Sequence, residues 1–174
     1  TASASPTTIC QGSSTNLSST GATSYVWNPG GLAGANVSVS PNATTTYTVT
    51  GTTGVCTATS TVTVTVDFTP APTPVTATPS LLCTGGISQL NATGIPGSIQ
   101  SWYTVPSGGV AIGTSLSGAN FPVSPAITTT YYVEALNNGC SSASRTSVVA
   151  TIKPIPGTKI ISSASRCGPG SVTL

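Results

Sequence analysis

The chain is 174 residues long, and 3% of them are charged: four basic, two acidic, with no histidine and no methionine, for a formal net charge of +2. An average soluble domain carries roughly 25% charged residues. So sparse a set leaves no basic surface to neutralise the phosphates of nucleic acid, too few carboxylates for a calcium cage, and almost no titratable groups to converge for acid–base catalysis. No apolar run approaches the roughly 20 residues of a membrane-spanning helix, and no secretory leader opens the chain, as expected of a mature or internal segment.

In chain order, Cys10 stands ahead of a short stretch carrying Leu17, and YVW at 25–27 forms the next strand, closed by an NPGG turn. VSVSP at 37–41 and YTVTG at 47–51 follow, then Cys56 and the segment TVTVTVDF at 61–68. That last segment places Val62, Val64, Val66 and Phe68 on one face and threonines on the other, the period of two expected of an antiparallel strand with one wet side. After the pair Pro70/Pro72, VTATPSLL at 75–82 begins the series again. Cys83, Leu90, a tryptophan strand at Trp102, a PSGG turn, Tyr131 and Tyr132, an NNG turn, Cys140 and an alternating strand with Val148, Ala150 and Ile152 come next. Stretches this regular argue against a disordered or mucin-like stalk, which the Ser/Thr/Gly content alone would allow. No window shows helical periodicity.

The second series copies the first. GANVSVSPNATTTYTVT at 34–50 recurs as GANFPVSPAITTTYYVE at 118–134, a shift of 84 that also pairs Cys56 with Cys140 and Cys83 with Cys167. The front halves align under a shift of 73, so the remaining 11 residues are expected as one insertion between Gly94 and Gly118. A third copy starts with RCGPGSVTL, and in all three a leucine follows the first cysteine by seven positions: Leu17, Leu90 and Leu174. About seven short strands per copy reads as an all-β protein of tandem immunoglobulin-like sandwiches. The expected organisation is a first domain at 1–69, a Pro-rich joint at 70–74, a second domain at 75–153, a joint at 154–158, and the start of a third domain at 159–174, part of a longer array.

Two cysteines per complete domain predict intradomain disulfides, Cys10 with Cys56 and Cys83 with Cys140, leaving Cys167 to a partner further on. Closing a loop of some 46 residues contributes roughly 4 kcal/mol in the chain-entropy model and places the protein in an oxidising compartment. A metal site is the rival reading, but no histidine and no CxxC occur, and neither a metal nor a cofactor is expected. Trp27 and Trp102 are expected in the core, with a sugar-stacking platform as the alternative. Tyr47 and Tyr131 match the position of a tyrosine corner, in which the hydroxyl bonds back to nearby backbone. Tyr25, Tyr103 and Tyr132 are the candidates for exposure and ligand contact. Asp67 and Glu134 fall in different domains and make no hydrolytic pair. The N-x-S/T sequons at Asn16, Asn36, Asn42 and Asn91 are what chance gives in so Thr-rich a chain.

The order C-x-G-x-x-x-x-L-x-x-x-G, a tryptophan strand, VSP-x-x-TTTY-x-V, and a second cysteine before a Val/Thr strand resembles the Ig-like repeats of large Bacteroidetes surface proteins. The resemblance covers essentially the whole chain and is closer in the second domain, with SWYTVPSGG and TTTYYVEALNNGC. It implies export by type IX secretion, an extracellular place at the cell surface, and no catalytic residues. The expected function is a stalk repeat of a long adhesin that projects a distal binding region, its partners being neighbouring repeats. A self-assembling fibre built from copies of the chain and a module binding surface polysaccharide are the alternatives.

Overall fold

Residues 1–154 are described by the structure, a computed structural model; Cys167 and the third copy lie outside the described residues. The alternation of Ser and Thr with Val, Leu and aromatic residues is realised as seventeen β-strands, with no helix among the described residues. The first module comprises β1 (Ala2–Ser5), β2 (Thr8–Cys10), β3 (Thr15–Ser19), β4 (Ser24–Asn28), β5 (Leu32–Ala33), β6 (Asn36–Val39), β7 (Thr45–Thr53) and β8 (Cys56–Asp67). Its two sheets have the orders β1-β3-β6 and β2-β8-β7-β4-β5. The second module comprises β9 (Val75–Thr78), β10 (Leu81–Cys83), β11 (Ser88–Ala92), β12 (Ile99–Tyr103), β13 (Gly113–Leu116), β14 (Asn120–Val123), β15 (Thr129–Asn137), β16 (Cys140–Ser141) and β17 (Thr146–Lys153). There the orders are β14-β11-β9 and β10-β17-β15-β12-β13, with β16 beside β15.

The opening segment of each module is divided between both sheets. In the first, β1 pairs antiparallel with β3 and β2 pairs parallel with β8; in the second, β9 pairs with β11 and β10 runs parallel to β17. The single strand that VTATPSLL suggests is therefore two, broken at Pro79, since a residue lacking an N–H cannot continue the ladder. A hydroxyl at the start of the next strand secures each crossing. Thr15 donates to the Pro6 carbonyl at 2.6 Å and Ser88 to the Pro79 carbonyl at 2.8 Å, both from buried positions. Each buried hydroxyl thereby keeps a hydrogen-bond partner, as buried polar groups require.

Each module has its own core. Leu17, Trp27, Val49 and Val64 fill the first, and Leu90, Trp102, Val133 and Ala150 the second. Both tryptophans are 0% exposed, as the sequence leads one to expect of core residues, and each indole N–H finds an acceptor: Trp27 the Gly34 carbonyl, Trp102 the Ser115 hydroxyl. Tyr47 and Tyr131 are buried as well. Along β8 the inward face is Val62, Val64 and Val66; Phe68 lies past the strand end and is exposed. The extra length of the second module is not one insertion but is shared among three turns and a longer β13, the largest share being residues 104–112 against 29–31 in the first.

Gly113 shows how tightly the second core is closed. A methyl group there would meet Phe121 at 2.5 Å, and Phe121 stacks on Trp102 with ring centroids 6.0 Å apart. Gly113→Ala must displace that ring and should cost about 1–3 kcal/mol, as overpacking of a filled core does. Trp27→Ala should cost the first module about 3–5 kcal/mol. Urea denaturation followed by circular dichroism reads both losses, and in Trp27→Ala the fluorescence of Trp102 follows the second module alone.

Candidate functional site

The one disulfide among the described residues joins the two modules rather than closing either. Cys10 is bonded to Cys140, with Cα atoms 5.4 Å apart and 130 residues between them in sequence, while Cys56 and Cys83 are free and exposed. This corrects the expected pairs Cys10 with Cys56 and Cys83 with Cys140, and the reason is strand length. The parallel register sets Cys10 opposite Asp67, at the end of β8, and Cys56 is the first residue of that same strand. Twelve residues of extended chain span about 35–40 Å, whereas a disulfide requires Cα atoms within about 7 Å. In the second module Cys83 lies opposite Lys153 at the end of β17, again at the far pole from Cys140.

Local structure presents both bonded cysteines at the junction. The Gln11 N–H donates to the Asp67 carbonyl at 2.9 Å, which holds Cys10 where β8 leaves for the joint. Cys140 follows a two-residue turn in which Asn138 and Gly139 both have positive φ, the geometry that asparagine and glycine favour in tight hairpins. The joint itself is docked on the second module. Pro72 is fully buried, its carbonyl accepts from the Thr146 hydroxyl at 2.8 Å, and Thr73 and Pro74 exchange backbone hydrogen bonds with Thr93. The peptide joint and the Cys10–Cys140 bond thus connect the modules twice.

A second cluster uses two of the four charged side chains among the described residues, Glu134 and Arg145. The Arg145 Nε donates to Glu134 Oε2 at 2.9 Å, and its Nη1 donates to the Val105 and Gly108 carbonyls. Its guanidinium lies 3.3 Å from the centroid of the Tyr103 ring, and the Tyr103 hydroxyl donates to Glu134 Oε1 at 2.7 Å. These bonds pin the 104–112 turn, the largest of the extended turns. The cluster was missed in the sequence, though Glu134 and Arg145 are that module's acid and its arginine on either side of one hairpin, the arrangement that puts opposite charges across a strand pair.

The tyrosine assignments change accordingly. Tyr25 and Tyr103 are buried, not exposed, and only Tyr132 is partly accessible. The Tyr25 hydroxyl accepts from the Ala22 N–H at 2.6 Å and donates to the Ala22 carbonyl at 2.8 Å. The bond back to local backbone expected of Tyr47 and Tyr131 is thus made in the first module by Tyr25, which stands four residues after the turn glycine Gly21. Among the described residues no cluster of three or more His, Cys, Asp or Glu side chains could hold a metal ion, and no helix is long and apolar enough to cross a membrane.

Residues 71–154 match the family model described as "Ig-like domain CHU_C associated", a description linked to Bacteroidetes type IX secretion proteins. Among solved structures, murine CEACAM1b is similar at 12% identity over 87% of this chain and 98% of its own, with a TM-score of 0.42. The human OSCAR ligand-binding domain is similar at 16% identity over 85% and 96%, with a TM-score of 0.39. No curated protein matches the sequence. Topology and family match together define an all-β protein of tandem immunoglobulin-like sandwiches.

The bond has a measurable signature. If the first module unfolds while the second stays folded, the chain between Cys10 and the anchored Pro72 remains a closed loop of about 60 residues, worth about 4 kcal/mol in the chain-entropy model. Unfolding the second module alone leaves a loop of similar length. Cys10→Ser should therefore destabilise both modules by about 2–4 kcal/mol in denaturant titrations, while Cys56→Ser changes neither by more than about 0.5 kcal/mol. An effect of Cys10→Ser confined to the first module would contradict the bridge.

Response to pH follows from the phenols. Burial holds Tyr47 and Tyr131 above their ordinary value, and Tyr103 is raised first by its hydrogen bond to Glu134 and then by burial. A proton retained in the folded state and released near pH 10 in the unfolded chain stabilises below that point, and the stabilisation is lost as pH rises through the folded values. Thermal scans should overlay within about 5 °C between pH 5 and 8 and fall to lower Tm above about pH 10.

Proposed function

We propose that this chain is a spacer segment of a long cell-surface adhesin, in which Ig-like modules in series hold a distal binding region away from the cell. The observation that carries the reading is the Cys10–Cys140 bond beside the docked joint. A flexible linker lets neighbouring modules swing, whereas two connections across one junction restrict their relative orientation and let the array transmit force without extending at the joint. A disulfide in an Ig-like module also fits an extracellular, oxidising setting, and the match at 71–154 agrees with an exported bacterial surface protein. The polysaccharide-binding alternative loses its main support, since two of the three tyrosines it relied on are buried and engaged by their own module.

Small-angle scattering of the chain, oxidised and reduced, tests the proposal. A spacer predicts an elongated two-module particle with a narrow distribution of dimensions when oxidised, broadening on reduction while circular dichroism still reports folded strands. A globule in which the modules fold back on each other in both redox states would overturn it.

A further inference from the structure

We infer that Cys56 and Cys83 are the two open ends of a disulfide ladder: the first cysteine of each module is bonded to the second cysteine of the module that follows. Cys83 then takes the second cysteine of the next module, and Cys56 the first cysteine of the one before. The inference rests on the tandem order of modules and not on what the array projects.

Equivalence of position carries it. Cys10 closes β2 opposite Asp67, the last residue of β8, and Cys83 closes β10 opposite Lys153, the last residue of β17. Each therefore stands where its module hands over to a Pro-rich joint. Cys56 and Cys140 both follow a two-residue hairpin turn, in the registers Thr53 with Cys56 and Asn137 with Cys140. They differ in what covers them. Cys140, beneath the preceding module, is 4% exposed, while Cys56, at the outer pole of the first module, is exposed and lines an open cleft of about 430 Å³ together with Thr1, Gly21, Tyr25 and Gly51. Cys10 is half-buried in its bond, whereas Cys83 at the outer pole of the second module is exposed. Each free thiol thus occupies the position of a bonded one and lacks only the adjoining module.

Forming the bond removes two thiol protons and two electrons, which a disulfide oxidant accepts, either glutathione disulfide or the active-site disulfide of an oxidoreductase. The Cys83 thiolate attacks that disulfide and expels one thiolate. The partner's thiolate then attacks the Cys83 sulfur of the mixed disulfide and expels the second, so one disulfide is made and one is reduced to two thiols. Cys167 aligns with Cys83 and so has the same first-cysteine role; the ladder excludes a bond between these two.

A tandem chain provides the test: residues 1–158 followed directly by residues 2–174 set the first module where the third copy begins, because Ala2, Val75 and Lys159 are equivalent positions. After oxidation with glutathione disulfide, non-reducing peptide mapping should find Cys83 of the first copy bonded to Cys56 of the second, beside a Cys10–Cys140 bond in each copy. Cys56→Ser in the second copy should abolish the first bond and leave the other two. Cys83 remaining as a thiol or mixed disulfide, or bonded to Cys167 or to another Cys83, would overturn the ladder. The scattering experiment can fail while this map succeeds, so the two readings fail separately.

Discussion

The length of the final strand governs the rest of the arrangement. β8 begins at Cys56 and ends at Asp67, and a parallel partner strand fixes Cys10 beside that end. A module built this way holds its two cysteines at opposite poles, too far apart to meet, and offers one thiol to each neighbour. The module cores must then stand on packing alone, which explains the fully buried Trp27 and Leu17 in the first and Trp102 and Leu90 in the second. Covalent reinforcement goes to the junction, where the Cys10–Cys140 bond stands beside the docked joint.

A bond between modules behaves differently from one within a module. It leaves the fold topology untouched yet restricts the unfolded chain of whichever module opens, so both gain from a single crosslink. Near-absence of charge suits the same use, because module contacts that do not rest on ion pairs are insensitive to salt. The exception is Arg145, partnered by Glu134 and stacked on Tyr103, which braces the longest extra turn of the second module. Its role is local, and the first module does without it because its corresponding turn is only three residues.

Much of the fold was legible in the sequence. Period-two alternation pointed to the strands and the repeat to more than one sandwich, and the tryptophans and leucines of the core followed from both. The cysteine partners were not legible, because counting two per module treats proximity in sequence as proximity in space. The deciding fact is a parallel pairing, Cys10 against Asp67, that no local pattern announces. Tyr25 and Tyr103 were misplaced for a related reason. Alternation from Trp27 puts Tyr25 on the inward face, and Tyr103, on the face opposite Trp102, is buried because Arg145 lies over its ring.

The most direct measurement is the disulfide map of the 174-residue chain itself, digested without reduction and with thiols blocked. The account predicts one crosslinked peptide pair containing Cys10 and Cys140, with Cys56 and Cys83 recovered as blocked thiols. Recovery of Cys10 with Cys56 and of Cys83 with Cys140 would contradict it, returning each bond to its own module and leaving the junction held by the peptide joint alone.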